Sequence, residues 1–144
     1  MYLVDTDVIS IGAPSRVTVS TDLVEWMDRN SQRLFLSAIS VAEIEGGIAK
    51  SLREGARRKS ARLGEWLETL LHLYGGRVLP FDVPAARIAG RLSDRARSKG
   101  QSPGFADLGI AATAAAHDLI VLTRNLRHFA PLQVPVHNPF DSLP

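Results

Sequence analysis

The sequence predicts an α/β fold: a small three-layer sandwich in which helices flank a parallel sheet of four to five strands. Three observations carry this. Short, continuous apolar runs recur at Tyr2–Val4, Leu34–Leu36, Val78–Phe81 and Ile120–Leu122, as expected for strands buried on both faces. Stretches of helical periodicity separate them, supplying the crossovers that parallel strands need. The chain has 144 residues, 45% of them apolar and 22% charged, which suits one globular domain, 1–144, with a sizeable core.

The elements follow in order. Tyr2–Val4 is the first strand and ends at Asp5. Val8–Ile11 fits one helical turn, closed by Gly12 and Pro14. Ser20 or Thr21 can cap a helix carrying Leu23, Val24, Trp26 and Met27. After the second strand, one helical region runs from Ser40 to about Glu54 and another from Ala56 to about Tyr74. Leu63, Trp66, Leu67, Leu70 and Leu71 form an apolar stripe on the latter, and Gly75-Gly76 ends it. The third strand follows, and Asp82 can cap a helix from Val83 to about Lys99. Gly100–Gly104 is a loop, Phe105–Ala116 an Ala-rich helix, and Ile120–Leu122 the fourth strand. Val134 and Val136 can add a small edge strand in a proline-rich tail.

Composition excludes several classes. No run of eighteen apolar residues is present, so no spanning helix and no membrane partner are expected. The N-terminus lacks the basic start and long apolar run of a secretory signal. With no cysteine, disulfide frameworks, thiolate zinc sites and cysteine nucleophiles fall away, and a cytoplasmic location is expected. The net charge of +2 is too small to demand a nucleic-acid partner. The basic set is 14 Arg against 3 Lys; guanidinium suits phosphate, but genomic base composition gives the same skew.

Ligands of open α/β sheets bind at the carboxyl ends of the strands, and acidic and polar residues gather there. Asp5 follows the first strand. Ser37 ends the second, with Glu43 one turn into the next helix. Asp107 lies in the first turn of the Ala-rich helix, and Thr123 and Asn125 follow the fourth strand. Each has a plainer reading: Asp5 as a turn cap, Ser40-Val41-Ala42-Glu43 as a capping box, Asp107 as a favourable charge at a helix start, Asn125 as a turn residue. Capping does not explain why all share one edge. Three carboxylates in one crevice raise one another's pKa unless a cation neutralises them, and such oxygen ligands suit Mg2+ or Mn2+.

Four blocks carry a resemblance. They are Leu3-Val4-Asp5-Thr6-Asp7-Val8-Ile9-Ser10, Leu36 to Ile48 with Glu43 in the acidic position, Phe105 to Ala114 with Asp107, and Leu122-Thr123-Arg124-Asn125-Leu126-Arg127-His128-Phe129. In order and spacing they resemble the PIN-domain ribonucleases, particularly the VapC and FitB toxins of prokaryotic toxin–antitoxin systems, over nearly the whole chain. Two positions depart from the pattern: Asp7 stands where Asn is usual, and His128 stands where the fourth block carries an acid. The resemblance implies a PIN-like sandwich and a divalent-metal phosphodiesterase acting on single-stranded RNA. It implies that Asp5, Glu43 and Asp107 hold Mg2+ (or Mn2+) while Thr123 and Asn125 orient water or substrate. It also implies a small antitoxin as partner and a homodimer. Lys50, Arg53, Arg57, Arg58, Lys59 and Arg62 put six basic residues in thirteen, either a track for RNA phosphates or a solvated face. The helical stretch around Gly46–Leu71 is a candidate groove for the antitoxin.

Other readings compete. Asp5-Thr6-Asp7 also fits the opening of haloacid-dehalogenase-like phosphatases, but no Gly-Asp dipeptide occurs for their later metal motif. A receiver domain would use Asp82 as acceptor, yet needs an acidic pair after the first strand and a Lys after the last. A PIN fold that binds RNA or protein without cutting is the non-enzyme alternative.

Overall fold

The computed structural model describes residues 1–14 and 20–144. Five strands, β1 (Tyr2–Val4), β2 (Leu34–Ser37), β3 (Val78–Leu79), β4 (Ile120–Leu122) and β5 (Val136–His137), form one sheet in the order β3-β2-β1-β4-β5, with every neighbouring pair parallel. The helices are α1 (Thr6–Ile9), α2 (Thr21–Arg29), α3 (Ala38–Arg53), α4 (Arg57–Tyr74), α5 (Val83–Ser98), α6 (Phe105–Ala116) and α7 (Leu126–Phe129).

The sheet grows outward from β1 through β2 to β3 on one side, and then resumes at β4 and β5 on the other. β1 and β4 are hydrogen-bonded neighbours, Tyr2 facing Ile120 and Val4 facing Leu122. The chain therefore reverses its winding between them, and that reversal opens a crevice outside their carboxyl ends. Asp5 and Thr123 are the first residues beyond these two strands.

The side chains of each strand alternate between two cores. Leu3 and Val121 pack with Ala89, Leu92, Ile110 and Phe129 under α5 and α6. Val4 and Leu122 pack with Val8, Ile44, Leu67 and Leu70 under α1, α3 and α4. All four strand residues are fully buried, as a sheet covered on both faces requires.

Several boundaries differ from the sequence reading for local reasons. β3 stops at Leu79, because Pro80 has no N–H to extend the ladder. α3 begins at Ala38, two residues early: Ser37, not Ser40, is its cap, its hydroxyl accepting from Ile39 N at 3.1 Å. The first helical turn begins at Thr6 rather than Val8, since Asp5 caps it. Ser20 occupies the cap position of α2 but its side chain makes no capping bond. Asp82 does cap α5, accepting from Ala85 N at 3.1 Å. α4 ends at Gly75, whose φ of +50° and ψ of −122° suit glycine alone.

α6 matters most for the site, because it delivers Asp107. Its small residues let it sink between neighbours: Ile110, Ala111, Ala112 and Ala114 are all fully buried. Gly109 allows the closest approach, since a Cβ there would stand 2.9 Å from Ile39 Cγ1 on α3. That contact fixes the first turn of α6 against the helix that carries Glu43.

Candidate active site

Asp5 is the anchor of the carboxyl edge. Its backbone N–H donates to Leu122 O at 2.9 Å, which ties it to the end of β4. The side chain is almost wholly buried at 4% exposure. One carboxylate oxygen accepts from Thr6 N and the other from the Thr123 hydroxyl, both at 2.7 Å. Thr123, fully buried, accepts in turn from Asn125 N at 3.0 Å. A hydroxyl that donates to the acid and accepts from the next turn has one available orientation, so Thr123 locks Asp5 in place.

Burial pushes the Asp5 carboxyl up from 3.8 to about 7. The Thr123 and Thr6 hydrogen bonds pull the other way, while the charges of Asp7 and Asp107 add to the rise. Both of those acids thus lie close enough to Asp5 to be felt by it. Asp7 is also raised, chiefly by burial, against the backbone amide and charge of Arg124. Its Oδ2 accepts from Arg124 N at 3.1 Å. Its Oδ1 is buried with no hydrogen-bond partner.

The remaining acids approach from other elements. The Thr6 hydroxyl donates to Glu43 Oε1 at 2.6 Å, which brings α3 to the residue beside Asp5. Glu43 therefore does not reach back to Ser40 as a capping box; Ser40 lies inside the helix, its buried hydroxyl unpaired. Asp107 Oδ2 lies 3.2 Å from His128 Nδ1. Asn125 stands exposed at the start of α7 and caps nothing with its side chain. The five residues expected from the sequence are thus gathered on one edge. Glu43 meets Asp5 through Thr6, Asp107 through its charge, Thr123 directly, and Asn125 through its backbone.

Three residues carry more than the sequence reading gave them. Asp7 sits beside Asp5, and the Asp-x-Asp spacing at the start of a one-turn helix was its signal. Thr6 positions Glu43. His128 touches Asp107, a contact between two helices that no local pattern announces.

Among the described residues, no three His, Asp or Glu side chains close around a single point as a ready-made cage. The donor set nonetheless fits a hard divalent cation. It consists of carboxylate oxygens, Asp7 beside them has an orphaned buried oxygen, and the group with most to gain from a neighbouring positive charge, Asp5, is the most buried.

A cleft of 370 Å³ runs from Thr6 and Glu43 along α3 to Lys50 and Lys59. All six members of the basic run are exposed, and only Lys50 has an acidic neighbour among the described residues, Glu54 at 4.0 Å. Arg124 stacks over Phe140, 5.0 Å from the ring centroid, with its Nε 4.0 Å from Asp7. The receiver-domain alternative finds no support, since Asp82 serves as a helix cap.

The PIN domain profile matches residues 2–132. Toxin FitB of Neisseria gonorrhoeae is 40% identical over 97% of this chain and 99% of its own length. VapC ribonuclease Y4jK of Sinorhizobium fredii is 37% identical over 98% of this chain and 99% of its own. Among solved structures, that of FitAcB from Neisseria gonorrhoeae superposes with a TM-score of 0.85 at 40% identity, covering 99% of this chain and 100% of the other.

Proposed function

The chain belongs to the PIN-domain family, and from that premise we propose that it is the toxin of a toxin–antitoxin pair, a divalent-metal-dependent endoribonuclease that hydrolyses phosphodiester bonds of RNA. Relatives named as VapC ribonucleases and toxin FitB, similar along their whole length, support the activity. The observation that carries the metal requirement is Asp5: a nearly buried acid, pushed up to about 7, with two further acids bearing on it. That arrangement costs free energy in the free protein and is relieved by a cation.

Asp5, Glu43 and Asp107 would hold Mg2+ or Mn2+. A bound divalent ion there supplies a better water nucleophile and neutralises charge on the scissile phosphate. The chain's own groups do the rest. Thr123 holds Asp5 in one rotamer, Thr6 holds Glu43, and Asn125 offers an exposed amide to orient water or substrate. The cleft toward Lys50 and Lys59 continues the edge into the basic run, where RNA phosphates would lie.

The test is RNA cleavage by purified protein. Mg2+ or Mn2+ should support it, a chelator should stop it, and Asp5→Asn should remove at least about a thousandfold of it while leaving the circular dichroism unchanged. Undiminished cleavage by that variant sinks the assignment. Failure of millimolar metal to raise the melting point favours a PIN fold that binds without cutting.

The antitoxin is expected on an apolar groove between α2 and α4, lined by Val24, Met27, Trp66, Leu70 and Leu73. It overlaps the end of the Gly46–Leu71 stretch expected from the sequence. Leu73 lines this groove and is 63% exposed. Leu73→Glu should abolish co-purification with a co-expressed antitoxin while sparing RNA cleavage; unchanged co-purification moves the docking site elsewhere.

A further inference from the structure

The contact between His128 and Asp107 is explained by neither the fold nor the site described so far. α7 is a single turn pinned by fully buried Phe129, and His128 projects from it toward the first turn of α6. The two side chains meet from separate elements, Nδ1 to Oδ2, at 3.2 Å. Both remain open to solvent, at 58% and 25% exposure. A cleft of 390 Å³ adjoins them, bounded by Ser102, Pro103, Gly104, Arg127 and Pro131. An exposed contact of this kind adds little to stability, so packing gives no reason for it.

We propose that His128 is a metal ligand, its imidazole joining Asp107 on the divalent ion and biasing the site toward Mn2+ over Mg2+. This rests on the reading above that an ion binds at the carboxylate edge. Neighbouring donors of a six-coordinate ion, each about 2.1 Å from it, lie about 3 Å apart, close to the separation of Nδ1 and Oδ2. Nδ1 and Oδ2 are the two ring and carboxylate atoms that approach each other. The open cleft leaves room for the waters such an ion retains. The chemistry then sets the preference: Mg2+ takes oxygen almost exclusively, whereas imidazole nitrogen suits the first-row transition ions. The competing role is purely positional, with His128 holding the Asp107 rotamer by a hydrogen bond and never touching the ion.

Paramagnetic resonance of Mn2+ bound to the full-length chain separates these. The wild type should show nitrogen hyperfine coupling of a directly coordinated imidazole. His128→Gln, an exposed change that leaves the core intact, should still bind Mn2+ but lose the coupling. Its Mn2+ affinity should fall at least about tenfold while Mg2+ affinity changes by less than about twofold. Bound Mn2+ without nitrogen coupling, or coupling that persists in His128→Gln, overturns the proposal and leaves the carboxylate site standing. A free-ion signal undiminished by the wild-type protein overturns both.

Discussion

Asp5 and Glu43 serve the same edge in opposite surroundings. Asp5 is nearly buried, with its oxygens held by the first amide of α1 and a buried hydroxyl. Glu43 is exposed on a helix and tied by one hydroxyl. Asp107 lies between these extremes and leans on a solvent-facing histidine. The inner half of the site is buried, doubly hydrogen-bonded and electrostatically strained, and the outer half is exposed and held by fewer bonds. A cation bound at this edge would gain most from the inner half, because that is where charge is least well solvated.

The strain at Asp5 should appear most strongly in the pH dependence of stability without metal. An acid raised in the native state keeps its proton there longer than in the unfolded chain. Between about 4 and 7, where the unfolded Asp5 is ionised and the native one is not, the folded protein binds the extra proton. Stability of the chelated protein should therefore fall as pH rises through that window. Millimolar Mg2+ should restore stability more at pH 7 than at pH 4, since proton and metal compete for the same oxygens. Thermal melts across pH with and without Mg2+ check this. A metal-free stability that rises through the window contradicts the strained inner half.

A smaller effect separates the halves directly. Thr123→Val removes the buried hydroxyl that locks Asp5, and should lower Mg2+ affinity about ten- to a hundredfold. Thr6→Val, which frees only the exposed Glu43, should cost markedly less. Calorimetric titration reads both, and equal losses would erase the distinction. The smallest effect concerns the RNA track beyond the site. Reversing charge at exposed Arg57 and Arg58 should reduce the slope of log affinity against log salt by about 1 to 1.5 for single-stranded RNA. An unchanged slope returns the pair to a solubilising face.

Much of the fold was legible because it depends on local pattern. β1, β4 and α6 have the bounds their apolar runs announced, and Asp82 caps the helix it precedes. Where local signals competed, the sequence misled: Ser40 and Glu43 have capping-box spacing, yet Ser37 lies at the strand end and takes the cap, leaving Glu43 free to face Thr6. The candidate site was legible as residues that share one edge of the sheet; that they act together there is the proposal. Its internal order was not, because that is made by contacts across long separations. Asp7 is held by the amide of Arg124, 117 residues away, and Thr123 reaches Asp5 over 118. The hand-off between Asp107 and His128 likewise appears only when α6 and α7 are packed together.

Acids from three distant segments are proposed to share a divalent ion at the β1–β4 crevice. A crystal soaked in Mn2+, with the ion located by its anomalous scattering, is the decisive test. The ion should lie on the Asp5 and Asp107 carboxylates with Glu43 bound directly or through water. An ion that touches neither Asp5 nor Asp107, or a crevice that stays empty at millimolar Mn2+, contradicts it.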